Sequence, residues 1–166
     1  NAKGVKRVQY QSTRDKKQKV SASRAILQGI SAEGGLFVPE KLPELSIQRL
    51  ERMIDQDYIR RAQDILGDFL SDFSREEIAS CLQNAYGSGN FASSKIAPLS
   101  RLGKDAYLLE LWHGPTCAFK DMALQLLPQL MVVSAKKSGK GEETVILVAT
   151  SGDTGKAALE GFRDVP

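Results

Sequence analysis

Cysteine and histidine are scarce in this chain, and each scarcity closes off a class of chemistry. Cys81 and Cys117 are the only two cysteines, too few for a disulfide scaffold. His113 is the single histidine, which rules out a histidine-based metal cluster. Charge of one sign is also lacking. With 23 Lys and Arg against 20 Asp and Glu, the formal net charge is +3, and no run of five or six like charges occurs. The densest basic patch, Lys16, Lys17 and Lys19, is broken by Gln18. It reads as a solvated strand end rather than a nucleic-acid surface, because no aromatic residues are interleaved with it. No apolar stretch approaches the roughly 20 residues of a membrane span, and no signal-peptide pattern is visible. These absences lead to the expectation of a cytoplasmic protein.

What is present reads as globular. The chain is 42% hydrophobic and 26% charged over 166 residues, enough for one domain, or a small domain with part of another. Asn1-Ala2, without a methionine, reads as a tag remnant and takes no part in the reasoning. Val5 to Arg14 alternates partly and suggests an exposed or edge strand. Short helices are expected over Ser21–Gly29 and after Ser46, where Ile47, Leu50 and Ile54 recur at helical spacing. Tyr58, Ile59, Ala62, Ile65, Leu66 and Phe69 form an amphipathic pattern behind an Asp57 N-cap. Ser74 and Glu77 match a capping box, with Phe73 placed to staple onto Ile78, and this helix should stop at Gly87. Cys81 falls on its apolar side and reads as buried.

The Gly- and Ser-rich stretch from Gly87 to Ser94 marks a boundary. Residues 1–95 are therefore expected to form a module of one strand and short helices, and residues 96–166 the beginning of an α/β unit. Behind the boundary the pattern is strand (Ala106–Trp112), helix (Ala118–Lys137), strand (Thr144–Thr150) and helix (Lys156–Arg163). The continuous apolar run Val145-Ile146-Leu147-Val148 argues for a buried parallel pair. Pro128, inside the first of these helices, predicts a kink, since it removes a hydrogen bond at about 3 kcal/mol. Two strands cannot build a doubly covered sheet, so the chain reads as a fragment of a longer, truncated α/β domain.

Two stretches carry candidate chemistry. Lys120 lies where an apolar strand has ended at Gly114-Pro115 and a helix begins, and a cation at a helix start loses roughly 0.3–1 kcal/mol. With Ala118, Phe119 and Met122 as neighbours, its amine should shed a proton more readily, and a neutral amine can form a Schiff base. The plainer alternative is a surface lysine whose stem covers apolar surface. Thr150-Ser151-Gly152-Asp153-Thr154-Gly155 follows a strand and opens a helix, so its backbone amides can gather an anion. Alternatively, Asp153 or Thr154 simply caps that helix.

His113-Gly114-Pro115-Thr116-Cys117-Ala118-Phe119-Lys120-Asp121 resembles the lysine segment of threonine synthases, fold-type II pyridoxal-phosphate enzymes. Ala149-Thr150-Ser151-Gly152-Asp153-Thr154-Gly155 is similar to that family's second glycine-rich loop, and Glu33-Gly34-Gly35-Leu36-Phe37-Val38-Pro39 to a segment of its N-terminal region. Three matches in order are more specific than any one, and only Leu45–Ile96 is undistinctive. The family carries an aliphatic residue where Cys117 stands, which favours a small hydrophobe over a nucleophile there.

The resemblance implies pyridoxal 5'-phosphate held as a Schiff base by Lys120, and O-phospho-L-homoserine as substrate. It implies that the freed Lys120 amine removes the α and then the β proton, that phosphate leaves the γ carbon, and that water adds at the β carbon to give L-threonine. Thr150, Ser151, Gly152 and Thr154 would hold the substrate carboxylate. Asp153 would stand beside the cofactor's 3-oxygen, where many relatives of the wider fold have Asn, so the two are expected to share a proton. The fragment alone is expected to be inactive. A threonine-synthase-like phospho-lyase acting on a related phosphorylated amino acid, and a non-catalytic folding or interaction module, remain open as alternatives.

Overall fold

The computed structural model describes residues 8–87, 89–139 and 143–166; Val5–Arg7 of the first expected strand lie outside them. Twelve short elements occur among the described residues. β1 (Tyr10–Ser12) pairs antiparallel with β2 (Lys19–Val20) on one side and β3 (Phe37–Pro39) on the other, Tyr10 facing Val20 and Pro39. The first strand is therefore central in a small sheet rather than an edge, which explains why Ser12 is buried. The Gly34-Gly35 turn makes this possible. Gly34 takes a left-handed φ of 81°, and a Cβ on Gly35 would lie 2.1 Å from the Ser12 hydroxyl.

Side-chain caps define the first helices. Ser21 accepts from the Arg24 amide at the start of α1 (Ala22–Gln28), which ends at Gly29 with φ 69°. Ser46 caps α2 (Ile47–Arg52), and Asp57 caps α3 (Tyr58–Phe69). The expected capping box heads α4 (Arg75–Tyr86): Glu77 N–H donates to Ser74 Oγ at 3.2 Å, and Ser74 N–H to Glu77 Oε2 at 2.6 Å. Phe73 and Ile78 share one apolar cluster with Leu70, Cys81, Leu82, Tyr86, Phe91 and Ile96. Burial pushes the Cys81 thiol up to about 11, so it behaves as a hydrophobe. Ile47 and Leu50 do fall in a helix, but it ends at Arg52 before Ile54, and all three side chains are exposed.

The second half differs from its expected strand–helix–strand order. The predicted strand over 106–112 shortens to β5 (Tyr107–Leu109), and its partner is β4 (Leu99–Arg101), an antiparallel hairpin closed by Leu102 N–H to Ala106 C=O at 2.9 Å. No parallel pair forms among the described residues. Residues 144–150 are not a strand, and Val145 and Leu147 stand 74% and 91% exposed. The reason is physical: a strand's amides and carbonyls need a neighbouring strand, and among the described residues none pairs with 144–150.

The long helix expected over 118–137 is two: α5 (Asp121–Leu124) and α6 (Leu127–Ser138). Pro128 sits in the first turn of α6, where its missing N–H is tolerated. The carbonyl it cannot engage, that of Leu124, faces α7 (Asp153–Phe162). A Cβ on Gly161 would fall 2.0 Å from that oxygen, so the break at Pro128 and the bare Gly161 together let α7 lie against α5. α6 packs on α1 and α4, placing Leu130 in the same apolar cluster as Leu82. Among the described residues no helix is long and apolar enough to cross a membrane.

Candidate functional site

Local sequence builds the lysine turn. Its entry is tied down by Ala92 N–H donating to the His113 carbonyl at 2.8 Å. The ring of His113 is held by Glu110, with His113 Nε2 2.6 Å from Glu110 Oε2, and stacks on Trp112. Glu110 also accepts from the Ser100 hydroxyl across the β4–β5 hairpin. These bonds, Ser100's first and then His113's, hold the Glu110 carboxyl below the usual range. The carboxylate stands in the middle here, so serine and histidine are not paired as nucleophile and base.

Beyond His113 the chain doubles back. Cys117 N–H donates to Gly114 C=O at 3.1 Å, and Cys117 itself adopts a left-handed φ of 59° and is exposed. The apolar neighbours expected for Lys120 are only partly there: Ala118 is buried and Met122 half-buried, but Phe119 is 60% exposed. Lys120 precedes a helix of four residues, not the first turn of a long one. Little aligned dipole therefore acts on it, since the macrodipole sums over successive peptides. Its amine lies 4.8 Å from the centre of the Phe119 ring and has no carboxylate or hydrogen-bond partner among the described residues.

The second loop is placed at the mouth of α7. Thr150, Ser151 and Gly152 are exposed and precede the helix, Asp153 is its first residue, and Thr154 follows half-buried. The simple cap reading does not hold, because Gly152 is the N-cap residue and no side chain caps the helix. Gly152 has φ 147°, a conformation open to glycine, and its amide leans on Thr150 Oγ1 at 3.4 Å. Among the described residues no acceptor meets the α7 amides ahead of the first helical bond, Lys156 N–H to Gly152 C=O, so they are open to an external one.

Lys120 and the 150–154 loop stand at the starts of helices that touch, α5 and α7, but no hydrogen bond or ion pair joins them among the described residues. An open cavity of about 990 Å³ lies between Pro115–Cys117 and the side of α7 at Lys156, Leu159 and Arg163. It is beside the lysine turn rather than around the amine. No group of three or more potential metal ligands occurs among the described residues. Asp121, fully buried and bonded twice to Thr116, escaped the sequence reading. The one available signal was a carboxylate five residues after a threonine that itself follows Gly114-Pro115.

With this geometry in hand, comparison with known proteins is informative. Residues 9–86 match the family described as threonine synthase N terminus. The chain is 39% identical to threonine synthase of Pseudomonas aeruginosa over 158 residues, covering 94% of this chain and 33% of that protein. It is 43% identical over 155 residues to threonine synthase-like 1 of Pongo abelii, covering 90% of this chain and 20% of that one. Its fold superposes on the crystal structure of pyridoxal-phosphate-bound threonine synthase from Brucella melitensis with a TM-score of 0.88 at 33% identity, covering 96% of this chain and 34% of that one. The molecule is thus an α/β protein whose mixed helices and strands match the N-terminal part of that enzyme fold. The chain belongs to the threonine synthase family. It spans 20% to 34% of the length of these relatives.

Proposed function

We propose that this chain is the lysine-bearing portion of a threonine synthase that converts O-phospho-L-homoserine and water to L-threonine and phosphate. The single observation behind it is the Lys120 amine, presented by a tightly bonded turn and, among the described residues, without an ion-pair or hydrogen-bond partner that attack on an aldehyde would have to displace. Such an amine fits pyridoxal phosphate, whose aldehyde condenses with an unengaged primary amine. When bound, that group supplies an electron-withdrawing ring that acidifies the protons beside the carbon attached to it.

In this reading Lys120 holds the cofactor aldehyde, then moves protons at the substrate's α and β carbons. A tethered base can serve both positions because it stays within reach. The open amides at the start of α7, with Thr150, Ser151, Gly152 and Thr154, would hold the substrate carboxylate, and Asp153 would help hold the cofactor. Residues 1–95 act as the supporting module, and residues 96–166 as the beginning of the cofactor-binding domain.

In the full-length protein, Lys120→Ala should abolish both the visible absorbance that pyridoxal phosphate gives on binding and phosphate release from O-phosphohomoserine. A variant that keeps either would refute the assignment. One observation favours a second reading: identity to threonine synthase-like 1 is 43%, against 39% to the Pseudomonas synthase. A phospho-lyase acting on a related phosphorylated amino acid would release phosphate from that compound and none from O-phosphohomoserine.

A further inference from the structure

The mechanism above makes no use of the Asp121 carboxylate, a charged group with 0% exposure directly following Lys120 in the chain. Both its oxygens are engaged by one residue. Oδ2 accepts from the Thr116 amide at 2.8 Å, and Oδ1 accepts from the Thr116 hydroxyl at 2.7 Å. This clasp spans the turn that carries Lys120. Gly114 is pressed against it, since a Cβ there would lie 2.5 Å from Asp121 Oδ2. Inside the clasp, Cys117 is held at φ 59°, a conformation non-glycine residues adopt only under constraint. Burying a carboxylate carries a desolvation cost that its hydrogen bonds must first offset, so stability alone gives no clear reason for a charge here.

We infer that Asp121 is a positioning residue: with Thr116 it fixes the direction in which Lys120 leaves the turn, so that the amine meets the cofactor aldehyde. The inference rests on the reading of Lys120 as the attachment point. Asp121 touches neither cofactor nor substrate in this role. It acts through the backbone it shares with Lys120, whose carbonyl is tied at 2.9 Å to Leu124 N–H in the same short helix. A side chain aimed by a locked turn forfeits less freedom on each attachment than one on a loose loop.

The test uses the full-length protein, pyridoxal phosphate, and timed borohydride reduction followed by peptide mapping, with the melting temperature of the cofactor-free protein as a check on folding. Asp121→Asn keeps the shape, since its carbonyl can accept from the Thr116 amide and its NH₂ can donate to the threonine oxygen. Asp121→Ala and Thr116→Val break one or both bonds. Labelling of Lys120 should slow by about tenfold or more in Asp121→Ala and Thr116→Val, and stay within about threefold of the parent in Asp121→Asn. The pH profile of labelling should shift in the two broken variants alone.

Thr116→Val keeps the test decisive if Asp121→Ala does not fold. Wild-type labelling in Thr116→Val, slowing no greater than the loss of folded protein, or an Asp121→Asn variant as slow as the broken ones would each overturn the positioning role. Label on a different lysine of the unmutated protein would instead sink the assignment of Lys120, and this inference with it, before any variant is compared.

Discussion

Residues 22–96 and residues 143–150 hold the same kinds of apolar side chain and treat them in opposite ways. In the first region Leu82 is 0% exposed, and aromatic rings of Tyr58, Tyr86 and Phe91 meet edge to face or tilted around it. In the second, four consecutive branched apolar residues lie in water-facing, unpaired chain. The difference is one of backbone. A helix satisfies its own amides and carbonyls and can bury one stripe at once. A strand does neither until a neighbour arrives, so the same hydrophobicity stays idle there.

A matched pair of deletions probes that contrast most strongly. Leu82→Ala removes a fully buried side chain and should cost about 2–5 kcal/mol, read by urea unfolding of the chain. Leu147→Ala removes an exposed one and should fall within about 0.5 kcal/mol of the parent. Equal losses would break the comparison. In the full-length protein Leu147→Ala should become costly too, if further strands cover that run.

A smaller effect is expected where the second region does pack. Gly161→Ala adds a Cβ 2.0 Å from the Leu124 carbonyl, a backbone atom that cannot swing aside. Overpacking of this kind costs about 1–3 kcal/mol. The damage should be local: amides of α7 should exchange faster with solvent, while those of α4 keep their protection. Faster exchange in both would mean that α7 is part of the main cooperative unit.

Where the sequence was legible, the signal was local. Ser21, Ser46, Asp57 and Ser74 each start a helix through a bond to a residue three positions on, so four helix starts could be read from side-chain chemistry. Pairing was not legible. β4 is three residues beside Pro98, and nothing in Leu99-Ser100-Arg101 announces that it will bond β5 before any parallel partner can. At the site, the lysine turn and the glycine-rich loop stood out by composition. The Thr116–Asp121 clasp did not, because an aspartate after a lysine looks like a solvated charge until burial is seen. Pro128 was readable as an interruption, but its consequence depended on Gly161, thirty-three residues later in the chain and pressed against the Leu124 carbonyl.

The contact between α6 and the first region offers the smallest effect, and it depends on pH. Lys137 of α6 reaches Glu77 Oε2 at 2.8 Å, the oxygen that also accepts from the Ser74 amide in the α4 capping box. Burial pulls the Glu77 carboxyl upward, but the bonds from Lys137 and the Ser74 amide outweigh it and leave the carboxyl below its usual value. A folded-state value below the unfolded one, about 4.3, means the stabilisation is present above that pH and is lost as pH falls through the folded value. Glu77→Gln keeps an acceptor for the Ser74 amide and removes the charge. Its melting temperature should therefore lie below the parent's at pH 7, with the gap shrinking as both are acidified below pH 4. A gap that stays constant across that range would show that Lys137 and Glu77 are merely adjacent, and that α6 is held to α4 by Leu130 and its apolar neighbours alone.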